Sequence, residues 1–90
     1  MKESILAVRN AVDALDLEGI VTLVRACLDE GLKPEEIIQD GISKGLEIVG
    51  SKFESGEYFL ADLIMAGEVV QEAMPVLREK MNPEGSGKGK

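Results

Sequence analysis

Histidine and tryptophan are absent from the 90-residue sequence, and cysteine occurs once, at Cys27. Without histidine the chain lacks the commonest general base and zinc ligand, and neither a Ser–His nor a Cys–His pair can form. These absences exclude the usual nucleophilic catalysts and disfavour a structural zinc site. A lone cysteine cannot form an internal disulfide, so the expected environment is the reducing cytoplasm.

Basic residues are also scarce. Ten Lys and Arg residues face 17 Asp and Glu residues, which gives a net charge of -7 at pH 7. Such a chain repels nucleic acids and anionic membrane surfaces, so neither is an expected partner. The sequence has no run of about 18 apolar residues, the length that a membrane-spanning helix needs. Charged residues and Asn10 interrupt the apolar start, which argues against a signal peptide.

Apolar residues recur at steps of three and four, which is the spacing of amphipathic helices. The pattern predicts helices over about 2–15, 17–30, 34–54 and from 59 or 60 to 81. Hydrophobic residues make up 44% of the chain and charged residues 30%, a balance typical of helical domains. Four helices with short connections predict an all-α fold, an antiparallel four-helix bundle over residues 1–81.

Turn residues mark the predicted helix boundaries. Asp16 is a candidate N-cap for the second helix, and Gly31 ends that helix. Pro34 suits the first position of the third helix, and Gly56 closes it. Pro75 lies inside the fourth helix, where a kink is expected. The residues predicted to face the core are, in chain order, Ile5, Val8, Val12, Leu15, Ile20, Leu23, Val24, Cys27, Leu28, Ile38, Ile42, Leu46 or Gly45, Val49, Phe53, Leu60, Leu63, Gly67, Val70, Met74, Leu77 and Met81.

Glycines are spaced along the last two predicted helices, at Gly41, Gly45, Gly50 and Gly67. Glycine inside a helix costs roughly 0.5–1 kcal/mol relative to alanine. Close approach of neighbouring helices is the expected compensation at these positions, and close approach of the backbone to a ligand is the alternative.

The last nine residues, 82–90, contain no apolar side chain that could join a core. Their Gly, Ser and Lys content predicts a flexible linker or tail. A linker at this place indicates that the chain is the first part of a longer protein.

All three aromatic residues fall within seven positions, at Phe53, Tyr58 and Phe59, on either side of the turn at Gly56. They must therefore gather at one end of the bundle. Two interpretations stay open at this point. The aromatic residues either close the core at that end or form an apolar surface that covers something flat.

A family resemblance bears on this choice. One segment of the chain resembles the cap segment of cobalamin-dependent methyltransferases. It is Val49-Gly50-Ser51-Lys52-Phe53-Glu54-Ser55-Gly56-Glu57-Tyr58-Phe59-Leu60, followed by Asp62-Leu63-Ile64-Met65-Ala66. Methionine synthase and the small corrinoid proteins of anaerobic methyl transfer carry this element. The resemblance extends over about residues 3–81 and is most specific in 53–65.

The resemblance implies a function for the turn. In that family the cap is a four-helix bundle that precedes a Rossmann-like, cobalamin-binding domain and covers the upper face of the corrin. By motif position, Phe53, Leu60 and Leu63 would contact cobalamin. The implied partners are a C-terminal cobalamin-binding domain, which would follow 82–90, and methyltransferase subunits.

Two departures from the family pattern matter. Ala61 stands where family members often carry proline, and the Asp-x-His-x-x-Gly signature of the cobalamin domain cannot occur without histidine. The chain alone is therefore expected to catalyse no methyl transfer and to bind corrinoid weakly.

Two other functions stay open. An acyl-carrier-like protein is also small, acidic and helical, but it needs serine within Asp-Ser-Leu, and Ser43, Ser51 and Ser55 have no such neighbours. A plain dimerising bundle could use Phe53 and Phe59 as an interface, and an isolated fragment could form a homodimer in that way.

Overall fold

The computed structural model describes residues 3–81, and every regular element in this range is helical. The predicted linker at 82–90 lies outside the described residues. The elements are, in chain order, α1 (Glu3–Asp13), α2 (Ile20–Asp29), α3 (Pro34–Glu36), a π-helical segment (Ile37–Ser43), α4 (Lys44–Glu54) and α5 (Leu60–Met81).

The third predicted helix is continuous. Helical dihedral angles at Ile37, Ser43 and Lys44 join α3, the π-helical segment and α4 into one rod. The chain therefore folds into four rods joined by short connections, and the predicted all-α, antiparallel four-helix bundle is confirmed. Within 3–81, no helix combines the length and apolarity needed to cross a bilayer.

Three helix ends share one backbone motif. After α1, the N–H of Asp16 donates to the carbonyl of Ala11 at 2.9 Å, and Leu15 takes a positive φ of 61°. Gly31 (φ 91°) and Gly56 (φ 88°) occupy the same position after α2 and α4. A left-handed residue lets the next N–H reach back into the last turn, and glycine does so without steric cost. Both predicted glycine stops are confirmed.

The connection between the first two helices is longer than predicted. α1 ends at Asp13 rather than at residue 15, and α2 begins at Ile20 rather than at residue 17. The predicted N-cap was also wrong, because Gly19 is the N-cap of α2 and no side chain caps this helix. Asp16 instead accepts a hydrogen bond at Oδ1 from the N–H of Gly19, at 3.0 Å. The carboxylate therefore stabilises the turn over 17–19 that leads into α2.

The core lies between all four rods. Ile5, Val8 and Val12 of α1 are buried as predicted. In α2 the predicted stripe is also confirmed, since its central members are fully buried and Leu23 and Leu28 pack half-buried against them. The buried apolar residues are Ile5, Val8, Ala11, Val12, Ile20, Val24, Cys27, Ile37, Ile42, Val49, Ala66, Val69, Ala73 and Leu77.

The π-helical segment changes which residues of the third rod face inward. Ile37 is buried and Ile38 only half-buried, so the predicted start of this stripe was wrong by one residue. A π-helix bonds each residue to the fifth one along, which puts Ile37 in register with Ile42. Further along, Gly45 faces inward, whereas Leu46 is exposed.

Arg9 of α1 binds the π-helical segment directly. Its Nε and a terminal guanidinium nitrogen donate to the carbonyl of Asp40 at 3.0 and 2.8 Å. These two hydrogen bonds from one planar guanidinium group hold the carbonyl toward α1. The segment is thereby tied to the helix against which it packs.

The glycine prediction holds for two positions and fails for two. A Cβ added at Gly41 would lie 3.0 Å from Val8 Cγ1, and one at Gly45 would lie 2.7 Å from Val12 Cβ. These glycines let the third rod approach α1 closely. Gly50 and Gly67 have nothing within 4 Å of an added Cβ, so they do not serve helix packing.

The predicted stripe of α5 is confirmed at Leu77, but its rotation was wrong over the rest of the helix. The fully buried residues are Ala66, Val69, Ala73 and Leu77, whereas Leu60 is 64% exposed. Other members of the predicted stripe, Leu63, Val70 and Met74, lie half-buried at the edge of this face; Gly67 and Met81 are exposed. Alanines at two inward positions allow α5 to lie close to the other rods. The helix continues through Pro75 to Met81, and a kink there stays a prediction.

Candidate functional site

Large apolar side chains are exposed together around the turn between α4 and α5. Phe53 is 42% exposed, Phe59 70%, Leu60 64% and Ile64 60%. With the half-buried Leu63 they form the turn surface. Exposed apolar residues scattered singly are ordinary on proteins, but a contiguous group marks an interaction or ligand site.

The backbone of the turn brings these side chains to one end of the bundle. The N–H of Glu57 donates to the carbonyl of Lys52 at 2.8 Å, and that of Gly56 donates to Phe53 at 3.1 Å. Gly56 takes a positive φ of 88°, which lets the chain reverse at once after α4. Phe53 thus ends one helix close to the start of the next.

The start of α5 is fixed by its own first turn. Asp62 Oδ2 accepts the N–H of Phe59 at 2.8 Å, as an acidic residue in a capping box does. Asp62 also places a negative charge in the first turn, which suits the helix dipole. Leu60 and Ile64 lie four residues apart on one face of α5, so both project outward.

A polar cluster ties the turn to the end of α1. Lys52 Nζ lies 2.8 Å from Asp13 Oδ1 and 3.0 Å from Oδ2. The Tyr58 hydroxyl donates to the backbone carbonyl of Asp13, and Lys52 Nζ lies 5.1 Å from the centroid of the Tyr58 ring. The hydrogen bond to Asp13 raises the pKa of Lys52 above its usual value. We call Asp13, Lys52 and Tyr58 the anchor cluster.

The three residues predicted to contact a ligand lie together, but not equally exposed. Phe53 and Leu60 face outward, whereas Leu63 packs partly against the core. Sequence reasoning placed Phe59 at this end and missed Ile64. The spacing of four residues between Leu60 and Ile64 was the signal for it.

Residues 3–81 also contain a buried thiol and a cleft. Within 3–81, no three acidic or cysteine side chains come close enough together to hold a metal ion. Cys27 is fully buried, and burial raises the pKa of its thiol, so it is an unreactive core residue. A cleft of about 220 Å³ lies between α2 and α5, lined by Arg25, Leu28, Asp29, Val76, Glu79 and Lys80.

Comparison with known proteins decides the family. The model of the B12 binding domain family matches residues 6–78. The chain belongs to this family. The resemblance seen in the sequence is therefore confirmed, and cobalamin is the cofactor of the family that the chain joins.

Relatives of the B12 binding domain family match this chain over most of its length. Monomethylamine corrinoid protein 1 of Methanosarcina mazei is 39% identical over 79 residues, which cover 84% of this chain and 36% of that protein. Trimethylamine corrinoid protein 1 of Methanosarcina acetivorans is 31% identical over 86 residues, or 94% and 40% of the two chains. The chain thus spans little more than a third of the length of these relatives.

A solved structure shows the same fold. The monomethylamine corrinoid protein of Methanosarcina barkeri matches with a TM-score of 0.77 and 37% identity. The match covers 79% of this chain and 34% of that one.

The residues present fit one side of a corrinoid. A flat macrocycle needs apolar side chains to cover it, and Phe53, Leu60 and Ile64 are exposed apolar side chains. Gly50 and Gly67 lie one helical turn or two from these residues, and open space surrounds the position of an added Cβ at each. The chain has no histidine, so a histidine axial ligand is not among its residues.

Proposed function

We propose that this chain is the cap module of a corrinoid methyl carrier, and that its turn surface covers the upper face of cobalamin. Phe53, Leu60 and Leu63 are the proposed contact residues. The observation that supports this most directly is the exposure of Phe53 and Leu60, at 42% and 64%, although the sequence pattern predicts both to face the core. Phe59 and Ile64 extend the same surface.

The strength of such a cover follows from the exposed area. Full burial of a large apolar side chain is worth about 1.5–3 kcal/mol. Phe59, Leu60 and Ile64 are each 60–70% exposed. Burying the exposed parts of all three then contributes roughly 3–6 kcal/mol, before the cost of ordering is subtracted. The net stabilisation of the closed cover is smaller than this sum, so opening stays reversible.

Exclusion of water is the chemical role of the cover. Cobalamin, when bound, supplies a nucleophilic cobalt that accepts and donates a methyl group. Apolar side chains over that face keep water and oxidants away from it. The cover must then move aside so that a methyl donor or acceptor can approach. Methyl transfer would therefore need opening and closing of this module.

The remaining parts of the carrier are also proposals. Residues 82–90 would lead into a C-terminal, cobalamin-binding domain, and methyltransferase subunits would supply and remove the methyl group. The matching relatives are about two and a half times as long as this chain, which leaves room for such a domain. Catalysis would belong to those partners, in a reducing cytoplasm suited to the free thiol of Cys27.

A fusion tests the cover directly. This chain would replace the matching segment of the Methanosarcina barkeri corrinoid protein, and air oxidation of the reduced cofactor would be followed by its absorption spectrum. We expect Phe53→Ala and Leu60→Ala to speed oxidation several-fold while the far-ultraviolet circular dichroism stays unchanged. Leu6→Ala is the matched control, because Leu6 is 37% exposed but lies on α1. Equal oxidation rates in all of these proteins would refute the cover.

Self-association is a second candidate, favoured by the same exposed side chains. Two copies of the chain could bury Phe53 and Phe59 against each other when no corrinoid domain is present. Light scattering of the wild type and of Phe59→Ser would show it, since only the wild type should dimerise. The family match favours the corrinoid function over the acyl-carrier alternative.

A further inference from the structure

The anchor cluster links three parts of the chain in a closed set of contacts. Asp13 ends α1, Lys52 lies in the last turn of α4, and Tyr58 belongs to the turn. The Lys52 ammonium contacts both oxygens of the Asp13 carboxylate, at 2.8 and 3.0 Å. Tyr58 donates its hydroxyl to the carbonyl of the same Asp13 and its backbone N–H to the carbonyl of Lys52, at 3.0 Å.

The anchor cluster lies directly beside the turn surface. Lys52 precedes Phe53, and Tyr58 precedes Phe59. Successive helix residues point about 100° apart, so holding Lys52 against α1 sets the direction in which Phe53 leaves α4. Tyr58 is half-buried, whereas Ser55, Gly56, Glu57 and Phe59 around it are exposed. Tyr58 is therefore the residue that holds this turn to the bundle.

We propose that Tyr58, together with Lys52 and Asp13, is a positioning group that holds the α4–α5 turn in the shape that presents Phe53, Phe59 and Leu60 to the corrinoid. This inference rests on the proposed cover function. An exposed turn without such an anchor would sample many shapes, and each shape would cost ordering entropy when the surface closed over a ligand. Because the anchor cluster orders the turn during folding, ligand binding does not have to supply this ordering entropy.

The first experiment needs no cofactor. Amide hydrogen exchange in the 90-residue chain would be compared between the wild type and Tyr58→Phe, which keeps the ring and removes the hydroxyl. We expect the amides of Glu57, Phe59 and Leu60 to exchange about two- to tenfold faster, the factor that one lost hydrogen bond allows. Core amides such as Val24 should not change. Unchanged exchange at the turn, or equal acceleration throughout the chain, would overturn the proposal.

The second experiment measures the cover in the fusion described above. We expect Tyr58→Phe and Lys52→Met to speed cofactor oxidation about two- to tenfold, and Lys52→Arg to restore the wild-type rate because it keeps the cation. Lys44→Met is the matched control, since Lys44 lies on α4 and forms only a 3.9 Å pair with Glu47. Leu28→Ala, on α2, controls for a loss of global stability.

The two proposals fail in different ways. If Phe53→Ala leaves oxidation unchanged, the cover function is wrong, and the exchange experiment still decides whether the anchor cluster holds the turn. If Phe53→Ala speeds oxidation and Tyr58→Phe does not, the cover stands and the positioning role is refuted. A loss of protection with Leu28→Ala equal to that with Tyr58→Phe would also refute it, because stability alone would then explain the effect.

Discussion

The contact between Gly45 and α1 allows a sharp test of the packing. A Cβ at Gly45 would lie 2.7 Å from Val12 Cβ, 2.9 Å from Val12 Cγ1 and 3.0 Å from the carbonyl oxygen of Arg9. Carbon atoms pack at about 3.5–4.0 Å, so Gly45→Ala must push α4 and α1 apart by about 1 Å. Overpacking of this kind costs about 1–3 kcal/mol. The higher helix propensity of alanine offsets up to about 1 kcal/mol of this cost.

The net expectation is a loss of about 1–2 kcal/mol in the free energy of unfolding for Gly45→Ala. Gly50→Ala is the matched control, because it makes the same change in the same helix and has nothing within 4 Å of the new Cβ. It should gain roughly 0.5–1 kcal/mol. The two variants should therefore differ by about 1.5–3 kcal/mol.

Urea unfolding followed by circular dichroism measures this difference. Both variants should keep the wild-type dependence on urea concentration and differ in midpoint, since the area exposed on unfolding hardly changes. In thermal unfolding, 1 kcal/mol corresponds to a shift of roughly 4–8 °C for a domain of this size. If Gly45→Ala were as stable as the wild type or more so, the close approach of these helices would be refuted.

Three further predictions concern a backbone strain, an ion pair and a buried thiol. Leu15 has a φ of 61°, so Leu15→Gly should be more stable to urea than Leu15→Ala by about 1 kcal/mol; the ordinary order, with alanine more stable, would contradict it. The raised pKa of Lys52 means that its pairing with Asp13 stabilises the fold fully below the usual value of 10.5 and is lost as pH rises through the raised value. The gap in urea midpoint between the wild type and Lys52→Met should then stay constant from neutral pH to about pH 9 and narrow above 10.5; a gap that widened there would show the opposite sign. Cys27 is fully buried, so a thiol reagent should modify it only at the rate at which the chain opens, and fast modification of the folded protein would refute this.

Part of the candidate site was accessible from the sequence. The residues that flank Gly56 had to lie near one another, because a tight turn joins the two helices that carry them. Their resemblance to a cap segment pointed to cobalamin, and the family match confirms that relationship. Whether Phe53 and Leu60 face solvent or the core could not be read from spacing, since apolar residues occupy both faces of a short amphipathic pattern.

The number of helices, and the helix ends marked by proline or glycine, were determined by local chemistry. Pro34, Gly31 and Gly56 act through their own backbone preferences, and these need no tertiary contact. The buried faces of α1 and α2 also followed from sequence, because each carries a single narrow apolar stripe.

Tertiary packing decided the rest. Apolar residues cover a broad arc of α5, and its rotation was set by the fit of Ala66 and Ala73 against the other rods rather than by the larger side chains. The π-helical segment arises where α1 packs closely on Gly41 and Arg9 holds the Asp40 carbonyl. Sequence periodicity records which side chains are apolar, but the volume available between helices determines which of them are buried, and that volume exists only once the four rods have assembled.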